Sequence, residues 1–275
     1  MQKYGEYLTE QSAEESRHID EMPTLEMLTL INREDQKAAL AVERELPRIA
    51  EAVDAIAERL RAGGRLFYLG AGTSGRLGVI DAAECPPTYG TSPETVQAII
   101  AGGDMAVFRA QERGEDNGED AVSALQERGF SANDVCFGLS ASGSAEFVRA
   151  ALVYARSLGA LTVLLCCNPK APTISLADIA IVPDTGAEVI SGSTRMKAAA
   201  AQKMVLTSVS TGVMVRLGRV RGNKMVCMHA SNQKLRARAI RMVCELSDVS
   251  EEQAQKALEA CSYDVSAAAD MLKQS

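Results

Sequence analysis

The chain has 275 residues, of which 47% are hydrophobic and 4% aromatic, and its net charge is −7. This length and hydrophobic content suffice for one large aliphatic core. The negative charge, with no stripe of Lys and Arg between aromatic residues, argues against a nucleic-acid-binding surface.

Neither a secretory signal nor a membrane span is expected. Residues 1–6 are polar, and the longest apolar run, 160–167, is far shorter than the ~20 residues that cross a bilayer. The seven cysteines include no C-x-x-C pair, which is typical of a reducing compartment. Cys166 and Cys167 lie in a strand pattern and are expected to be buried thiols. We therefore expect a cytoplasmic protein without a metal site.

Helical periodicity begins at Thr24 and continues to residue 61, where Gly63 and Gly64 end it. Pro47 lies inside this pattern and marks a helix start or a kink. These helices precede the first predicted strand.

From residue 65 onward, short apolar runs alternate with helical patterns. Strands are predicted near 65–69, 96–101, 134–139, 161–166 and 178–182, and helices near 74–84, 104–112, 118–128, 145–158 and 194–216. Because the residue before a proline avoids helical backbone, Pro86-Pro87 should end the first of these helices at about Cys85. The alternation predicts an α/β fold with a doubly wound, five-stranded parallel sheet.

The tail from residue 232 has three short helical patterns with small apolar faces. Residues 250–253 have the sequence of a capping box. We predict a small helical appendix over 232–275, beside a main domain over 1–231.

Two predicted strands end in turns rich in glycine and serine, at residues 70–75 and 140–144. Each turn leads into a helix, where N–H groups and hydroxyls favour an anion. Because both follow strands of one sheet, they are expected to converge on a phosphorylated ligand. The hydroxyls of Ser74 and Ser142 and the N–H groups of Gly75 and Gly143 are the predicted phosphate donors. The full set of candidates is Thr73, Ser74, Gly75, Ser140, Ser142, Gly143 and Ser144.

The first turn also fits the dinucleotide fingerprint G-x-G-x-x-G. That fingerprint expects an acidic residue about 20 positions on, at the end of the second strand. Here the second strand is followed by Asp104, 29 positions after Gly75. No Gly-Lys-Ser/Thr follows, which excludes a Walker A loop. A phosphosugar is the favoured ligand, and a dinucleotide is the alternative.

Acid–base chemistry should fall to carboxylates, because neither His18 nor His229 lies beside a glycine turn. Glu84 is predicted at a helix end within an apolar stretch, where the helix dipole and partial desolvation both favour the protonated acid. A helix-end glutamate in water is the equal alternative. Glu115 lies in a stretch, 112–116, with the composition of a solvated acidic loop.

The stretch 186–197 carries charges and hydroxyls together. Ser193 or Thr194 is a natural N-cap for the helix that follows. Capping does not explain Arg195 and Lys197, since cations at a helix N-terminus oppose the dipole unless an anion is present. The candidate substrate ligands in this stretch are Glu188, Ser193, Thr194, Arg195 and Lys197.

Residues 69–78 (LGAGTSGRLG) and 81–90 (DAAECPPTYG) closely resemble the N-acetylmuramic acid 6-phosphate etherase family. Residues 186–203 resemble a signature that this family shares with glucokinase regulatory proteins. The resemblance covers the chain from about Thr24 to the tail. It implies a sugar isomerase (SIS) fold of flavodoxin-like topology, a homodimer, and neither metal nor organic cofactor.

The resemblance also implies a reaction, cleavage of the D-lactyl ether of N-acetylmuramic acid 6-phosphate to N-acetylglucosamine 6-phosphate and D-lactate, in amino-sugar and cell-wall recycling. A base removes the C2 proton of the ring-opened sugar, an acid helps lactate to leave C3, and water adds. The elimination is either syn or anti. By motif match, Glu84 corresponds to the acid and Glu115 to the base. A phosphosugar-binding regulatory protein and a sugar-phosphate isomerase are the alternatives.

The chain departs from the family pattern at three places. Residues 144–147, Ser-Ala-Glu-Phe, stand where Arg-Thr-Pro-Tyr is usual, Cys227 replaces an aspartate, and Ala199-Ala200 replaces Gly-Thr. The first departure bears on substrate preference, because it adds a carboxylate near the predicted phosphate.

Ser74 and Glu84 are ten residues apart, which is about 15 Å along one straight helix. A sugar phosphate is shorter than that. We therefore expect a site at the dimer interface, with one of the two glutamates supplied by the neighbouring chain.

Overall fold

One parallel sheet of five strands organises the chain. The computed structural model describes residues 8–111, 114–228, 230 and 232–273. The strand order is β2-β1-β3-β4-β5, and every neighbouring pair is parallel. The strands are β1 (Leu66–Gly70), β2 (Val96–Ile100), β3 (Val135–Leu139), β4 (Leu161–Leu165) and β5 (Ile179–Ile181). This confirms the predicted doubly wound α/β sheet, with each strand end within one residue of its predicted position.

Helices cover both faces of the sheet. In the main part they are α1 (Thr24–Arg44), α2 (Leu46–Arg61), α3 (Gly72–Tyr89), α4 (Gly118–Glu127), α5 (Glu146–Ser157) and α6 (Lys197–Arg216). Pro47 lies in the first turn of α2, so it marks a helix start. The helix predicted near 104–112 is wrong over the described residues 104–111, where only a short 3-10 helix, Asp104–Val107, forms and where Met105 and Phe108 are exposed rather than packed. Residue 112 lies outside the described residues.

Two apolar cores lie on opposite faces of the sheet. Alternate residues of β1 point into different cores, since successive side chains of a strand face opposite ways. Leu66 and Tyr68 pack with α2, α3 and α6, whereas Phe67 and Leu69 pack with α4 and α5. This burial on both faces explains why the strand sequences are apolar throughout.

The strand order reverses its direction between β1 and β3, which opens a crevice at their carboxyl ends. Gly70 and Leu139 are paired at those ends. A Cβ atom on Gly70 would lie 2.9 Å from the Gly75 nitrogen, and one on Gly75 would lie 2.5 Å from the Gly70 oxygen. The turn from β1 into α3 is therefore so tight that these positions require glycine.

Helix α3 is longer than predicted. It continues through Pro86 and Pro87 to Tyr89, where Gly90 adopts left-handed backbone and its N–H donates to the Pro86 oxygen at 2.9 Å. The expected stop at Cys85 is wrong because packing outweighs the hydrogen bonds that the prolines remove. Cys85 is buried, and the Tyr89 hydroxyl lies 3.1 Å from Thr211 Oγ1 on α6.

Three helices, α7 (Gln233–Ser247), α8 (Glu251–Ala260) and α9 (Val265–Lys273), lie in the segment for which three short helices were predicted. They share a separate apolar core with Val226 and Met228. The predicted capping box at the start of α8 is confirmed, since Ser250 and Gln253 bond each other's backbone N–H groups. Among the described helices, none combines the length and the apolarity that crossing a membrane requires.

Candidate active site

The first glycine turn presents its phosphate-binding groups at the N-terminus of α3. Ser74 is buried, and the Gly75 N–H donates to the Ala71 oxygen at 3.1 Å, the first bond of the helix. Gly75 is therefore not a phosphate donor in this structure, and that prediction is corrected. The N–H groups of Gly72, Thr73 and Ser74 precede this first bond, so they are the ones left for an anion.

The second turn lies beside the first, after β3. The Gly143 N–H donates to Ser140 Oγ at 3.1 Å and is therefore used within the turn, which corrects the prediction of this N–H as a phosphate donor. The Ser140 hydroxyl accepts this bond and keeps its own hydrogen, so its role in binding stays a prediction. Asn168 Nδ2 donates to the Ser142 oxygen at 3.0 Å and fixes the turn. The half-buried hydroxyls of Ser142 and Ser144 lie 2.8 Å apart and are the polar groups that this turn offers.

The added carboxylate in this turn is neutralised within the chain. Glu146 accepts two hydrogen bonds of 2.6 Å from the Arg149 guanidinium. These bonds hold the pKa of Glu146 below its ordinary value. The departure from the family pattern therefore adds an ion pair rather than a lone negative charge.

Glu115 is anchored at the same edge of the sheet. Its backbone oxygen accepts the Phe147 N–H at 3.0 Å, in the first turn of α5, and a Cβ on Gly114 would lie 2.7 Å from the Gly102 nitrogen, just after β2. The side chain keeps access to solvent, but the protein around it removes part of its hydration. This partial desolvation, with the nearby Asp116 carboxylate, raises the pKa of Glu115 above its ordinary value.

Glu84 lies in the interior of α3 and is exposed. The predicted helix end and desolvation are therefore both absent in the single chain, because α3 continues five residues beyond it. The buried acid one turn earlier is Asp81, which accepts bonds from the Tyr68 hydroxyl at 2.9 Å and from Ser210 Oγ at 3.0 Å. Burial raises the pKa of Asp81, although these two bonds oppose the rise.

Ser74 and Glu84 lie on the same continuous helix. Ten residues separate them, so their backbones are about 15 Å apart along the axis of α3. The serine is at the carboxyl edge of the sheet, and the glutamate lies well toward the opposite edge.

Glu188 is a structural carboxylate that caps α6. Its Oε2 accepts the Lys197 N–H at 3.0 Å and its Oε1 accepts the Ala198 N–H at 2.9 Å, while the side chain is buried. The prediction of Ser193 or Thr194 as the N-cap is therefore wrong. The helix begins at Lys197, three or four residues later, because a carboxylate from outside the helix satisfies its first N–H groups.

Lys197, one of the two cations of this stretch, has its anion in Glu34 on α1. Lys197 Nζ lies 2.6 Å from Glu34 Oε2, and Lys37 Nζ lies 2.6 Å from Glu34 Oε1. Lys197 and Glu34 are both buried, so the prediction of Lys197 as a substrate ligand is corrected. Arg195 is exposed and, among the described residues, has no hydrogen bond or ion pair, so it stays available to an anion.

Three residues near these groups had no role in the sequence analysis, namely Glu34, Asp81 and Lys203. Asp81 could have been noticed as an acid one turn before Glu84 in an apolar helix. Lys203 could have been noticed as a single cation inside a long apolar helix. Glu34 carried no local signal, since its partner is 163 residues away. Within the described residues no group of three or more His, Cys, Asp and Glu side chains could hold a metal ion, and His229 lies outside them.

Comparisons with known proteins cover most of the chain. Residues 48–156 match the glucokinase regulatory protein N-terminal SIS domain, and residues 222–275 match the C-terminal lid domain of glucokinase regulatory protein. An N-acetylmuramic acid 6-phosphate etherase from Clostridium beijerinckii is 52% identical over 96% of this chain and 87% of its own length. The etherase of Symbiobacterium thermophilum is 55% identical over 92% of this chain and 84% of its own.

The fold also matches solved structures. A ligand-bound protein from Escherichia coli CFT073 superposes with a TM-score of 0.53 and 16% identity, over 74% of this chain and 97% of its own. At that identity the match shows a shared fold.

We predict that Lys197→Met lowers the free energy of unfolding by about 3 kcal/mol, because it leaves a buried carboxylate with one partner fewer. Arg216→Met is the control, since its partner Asp54 is exposed on the same surface and such pairs contribute at most about 1 kcal/mol. Urea unfolding at pH 7 measures both. A Lys197→Met protein as stable as the wild type but impaired in substrate binding would restore Lys197 to the substrate site.

The same ion pair predicts a pH dependence. Burial alone would raise the pKa of Glu34, but the bonds from Lys197 and Lys37 outweigh it and lower the pKa below 4.5. The stabilisation is therefore complete above pH 4.5 and is lost as the pH falls through the lowered pKa. Urea unfolding of Glu34→Gln over the same pH range should show no such pH-dependent change in the free energy of unfolding.

Proposed function

The chain belongs to the N-acetylmuramic acid 6-phosphate etherase family, and from that premise we propose which of its residues carry out the reaction. It is a carbon–oxygen lyase that cleaves the D-lactyl ether of N-acetylmuramic acid 6-phosphate. Its products are N-acetylglucosamine 6-phosphate and D-lactate. This function is supported above all by sequence identity of more than 50% to etherases over nearly the whole chain.

The 6-phosphate binds in the crevice between the two glycine turns. Thr73 and Ser74 supply N–H groups and hydroxyls from α3, and Ser142 and Ser144 supply hydroxyls from the second turn. The positive end of the α3 dipole favours the dianion there. Arg195 is exposed and has no partner among the described residues, so it adds a positive charge to which the phosphate is attracted.

Glu115 is the base and Glu84 is the acid. The open-chain aldehyde acidifies the C2 proton, which the Glu115 carboxylate accepts. The C2–H electron pair forms the C2–C3 double bond, the C3–O pair leaves with the lactate oxygen, and Glu84 donates a proton to that oxygen. Water then adds at C3 and a proton returns to C2. A base with a raised pKa binds that proton more strongly than an ordinary glutamate would.

A homodimer completes the site. Helix α6 has charges only at residues 197, 203 and 216, yet part of its surface is exposed, including Met204 and Val215. Ile80 on α3 and Leu25 on α1 are also exposed, and both helices pack against α6. Exposed apolar side chains on three helices that pack together fit a second copy of the chain. Glu84 is exposed one turn after Ile80 and about 15 Å from Ser74, so in such a dimer it would reach the substrate bound by the neighbouring chain.

The reaction fits a cytoplasmic enzyme of amino-sugar and cell-wall recycling. The second candidate is a phosphosugar-binding regulator, which the two regulatory-protein matches favour. A regulator needs neither glutamate, so the presence of Glu84 and an anchored Glu115 favours the enzyme. Release of D-lactate from N-acetylmuramic acid 6-phosphate by the purified protein distinguishes the two.

For the phosphate site, we predict that Ser74→Ala and Ser142→Ala each weaken binding of N-acetylglucosamine 6-phosphate about tenfold. Each removes a hydrogen bond to a charged group, worth roughly 1.5–3 kcal/mol. Calorimetric titration measures the affinity, and Ser123→Ala, exposed on α4, is the control. Unchanged affinity in both serine variants would place the phosphate elsewhere.

For catalysis, we predict that Glu84→Gln still binds substrate but releases lactate at least a hundredfold more slowly, because glutamine cannot donate the proton. Glu115→Gln should also abolish exchange of the C2 proton with deuterated water. In the wild type this exchange should decline with falling pH already above 4.5, since the pKa of Glu115 is raised from that value. Persistent exchange in Glu115→Gln would assign the base to another residue.

For the shared site, we predict that inactive Glu84→Gln and Glu115→Gln chains recover activity when mixed, since one site of the heterodimer then has both glutamates. The control mixes wild-type chains with chains that carry both substitutions. In a shared site those heterodimers are inactive, because each site lacks one glutamate. If instead the control heterodimers are active and the first mixture is not, both glutamates act within one chain.

A further inference from the structure

Helix α6 carries one cation without a partner. Its charged residues are Lys197, Lys203 and Arg216. Lys197 is paired with Glu34, and Arg216 Nε lies 3.0 Å from Asp54. The Lys203 ammonium makes no hydrogen bond and no ion pair with any residue that the structure describes, and its side chain is exposed.

Lys203 lies on the side of α6 that faces α3. Ser210, which donates to Asp81 on α3, is seven residues further along, so the two residues share one face of the helix, two turns apart. Burial raises the pKa of Asp81, the Lys203 charge opposes that rise, and Glu84 adds to it. Lys203 and Glu84 therefore both lie close to the Asp81 carboxyl group.

No carboxylate of its own chain, among the residues that the structure describes, forms an ion pair with Lys203. Asp81 interacts with its charge, but Asp81 is buried and its two oxygens accept bonds from Tyr68 and Ser210. Lys203 is followed by the exposed Met204, so in the proposed homodimer it would lie beside the surface that a second copy covers. An ammonium removed from water without an anion is strongly unfavourable, so the assembled site must supply one.

The substrate has two anionic groups, the 6-phosphate and the carboxylate of the lactyl ether. The glycine turns take the phosphate, at the carboxyl edge of the sheet. The lactyl carboxylate is joined to the carbon that bears the ether oxygen. The acid that protonates the ether oxygen therefore lies within a few ångströms of the lactyl carboxylate. A cation beside that acid is then well placed to bind the carboxylate.

We propose that Lys203 binds the carboxylate of the lactyl group and so selects the ether substrate over sugar phosphates with a free 3-hydroxyl. This assignment rests on the proposed role of Glu84 as the acid. Arg195 is the other cation of residues 186–203 without a partner among the described residues, but it precedes α6, whereas Lys203 lies six residues into the helix, about 9 Å along its axis. Lys203 is the cation beside the scissile bond.

The test compares substrate and product. Lys203→Met keeps an unbranched side chain one atom shorter and removes its charge, so KM for N-acetylmuramic acid 6-phosphate should rise at least tenfold. Affinity for N-acetylglucosamine 6-phosphate, which lacks the carboxylate, should stay within twofold and also shows that the variant is folded. Lys203→Arg should restore most of the lost affinity. Lys256→Met, on the appendix helix α8, is the control and should leave every value unchanged.

A substrate analogue in which the lactyl carboxylate is converted to its methyl amide completes a double-mutant cycle between Lys203 and that carboxylate. The wild type should bind it at least tenfold more weakly than the acid, whereas Lys203→Met should bind both alike. If Lys203→Met lost affinity equally for substrate and product, Lys203 would bind the phosphate or support the fold. If it lost affinity for neither, another group would bind the carboxylate. Because wild-type lactate release and the Glu84→Gln defect are measured separately, these outcomes overturn the role of Lys203 without touching the etherase function.

Discussion

The site depends on the contact between the backbones of Gly70 and Gly75. With no Cβ atom on either residue, the chain turns from β1 into α3 within two residues, and the first free N–H groups of α3 open onto the crevice. The same turn fixes the direction of an 18-residue helix. Ser74 and Glu84 are then positioned together by one rigid element, so neither can move toward the other. The separation between Ser74 and Glu84, the proposed phosphate ligand and acid, is therefore set by the fold.

The charged residues of 186–203 divide into two groups with different tasks. Glu188 and Lys197 are buried and hold the start of α6 to the rest of the molecule, through the N–H groups of the helix and through Glu34. Arg195 and Lys203 are exposed and have no partner among the described residues. The buried residues hold the start of the helix, and the exposed ones are those that we propose bind anions. In this proposal one charge-rich segment supplies both structural and ligand-binding residues.

Local patterns predicted most of the fold. All five strands, both glycine turns and the capping box at Ser250 depend on neighbouring residues, and each was predicted correctly. The errors share a different cause. Pro86 remains helical because Cys85 and Tyr89 pack against distant elements, and Lys197 is paired with a residue of α1. The Gly75 N–H bonds to the Ala71 oxygen within its helix, which the loop sequence alone does not reveal. Tertiary partners, absent from any local window, decide these cases.

The proposed division of the site between two chains rests on the length of α3. The serines and Glu115 lie at the carboxyl edge of the sheet, whereas the exposed residues Glu84 and Lys203 lie further along α3 and α6. In the proposed mechanism the first group binds the phosphate and supplies the base, and the second supplies the acid and a cation. A single substrate would have to meet both groups, and about 15 Å of rigid helix separates Ser74 from Glu84 in one chain. The proposed homodimer would place the acid of one chain opposite the phosphate pocket of the other. The burial that the sequence pattern of Glu84 suggested would then come from assembly, since Glu84 is exposed in the single chain.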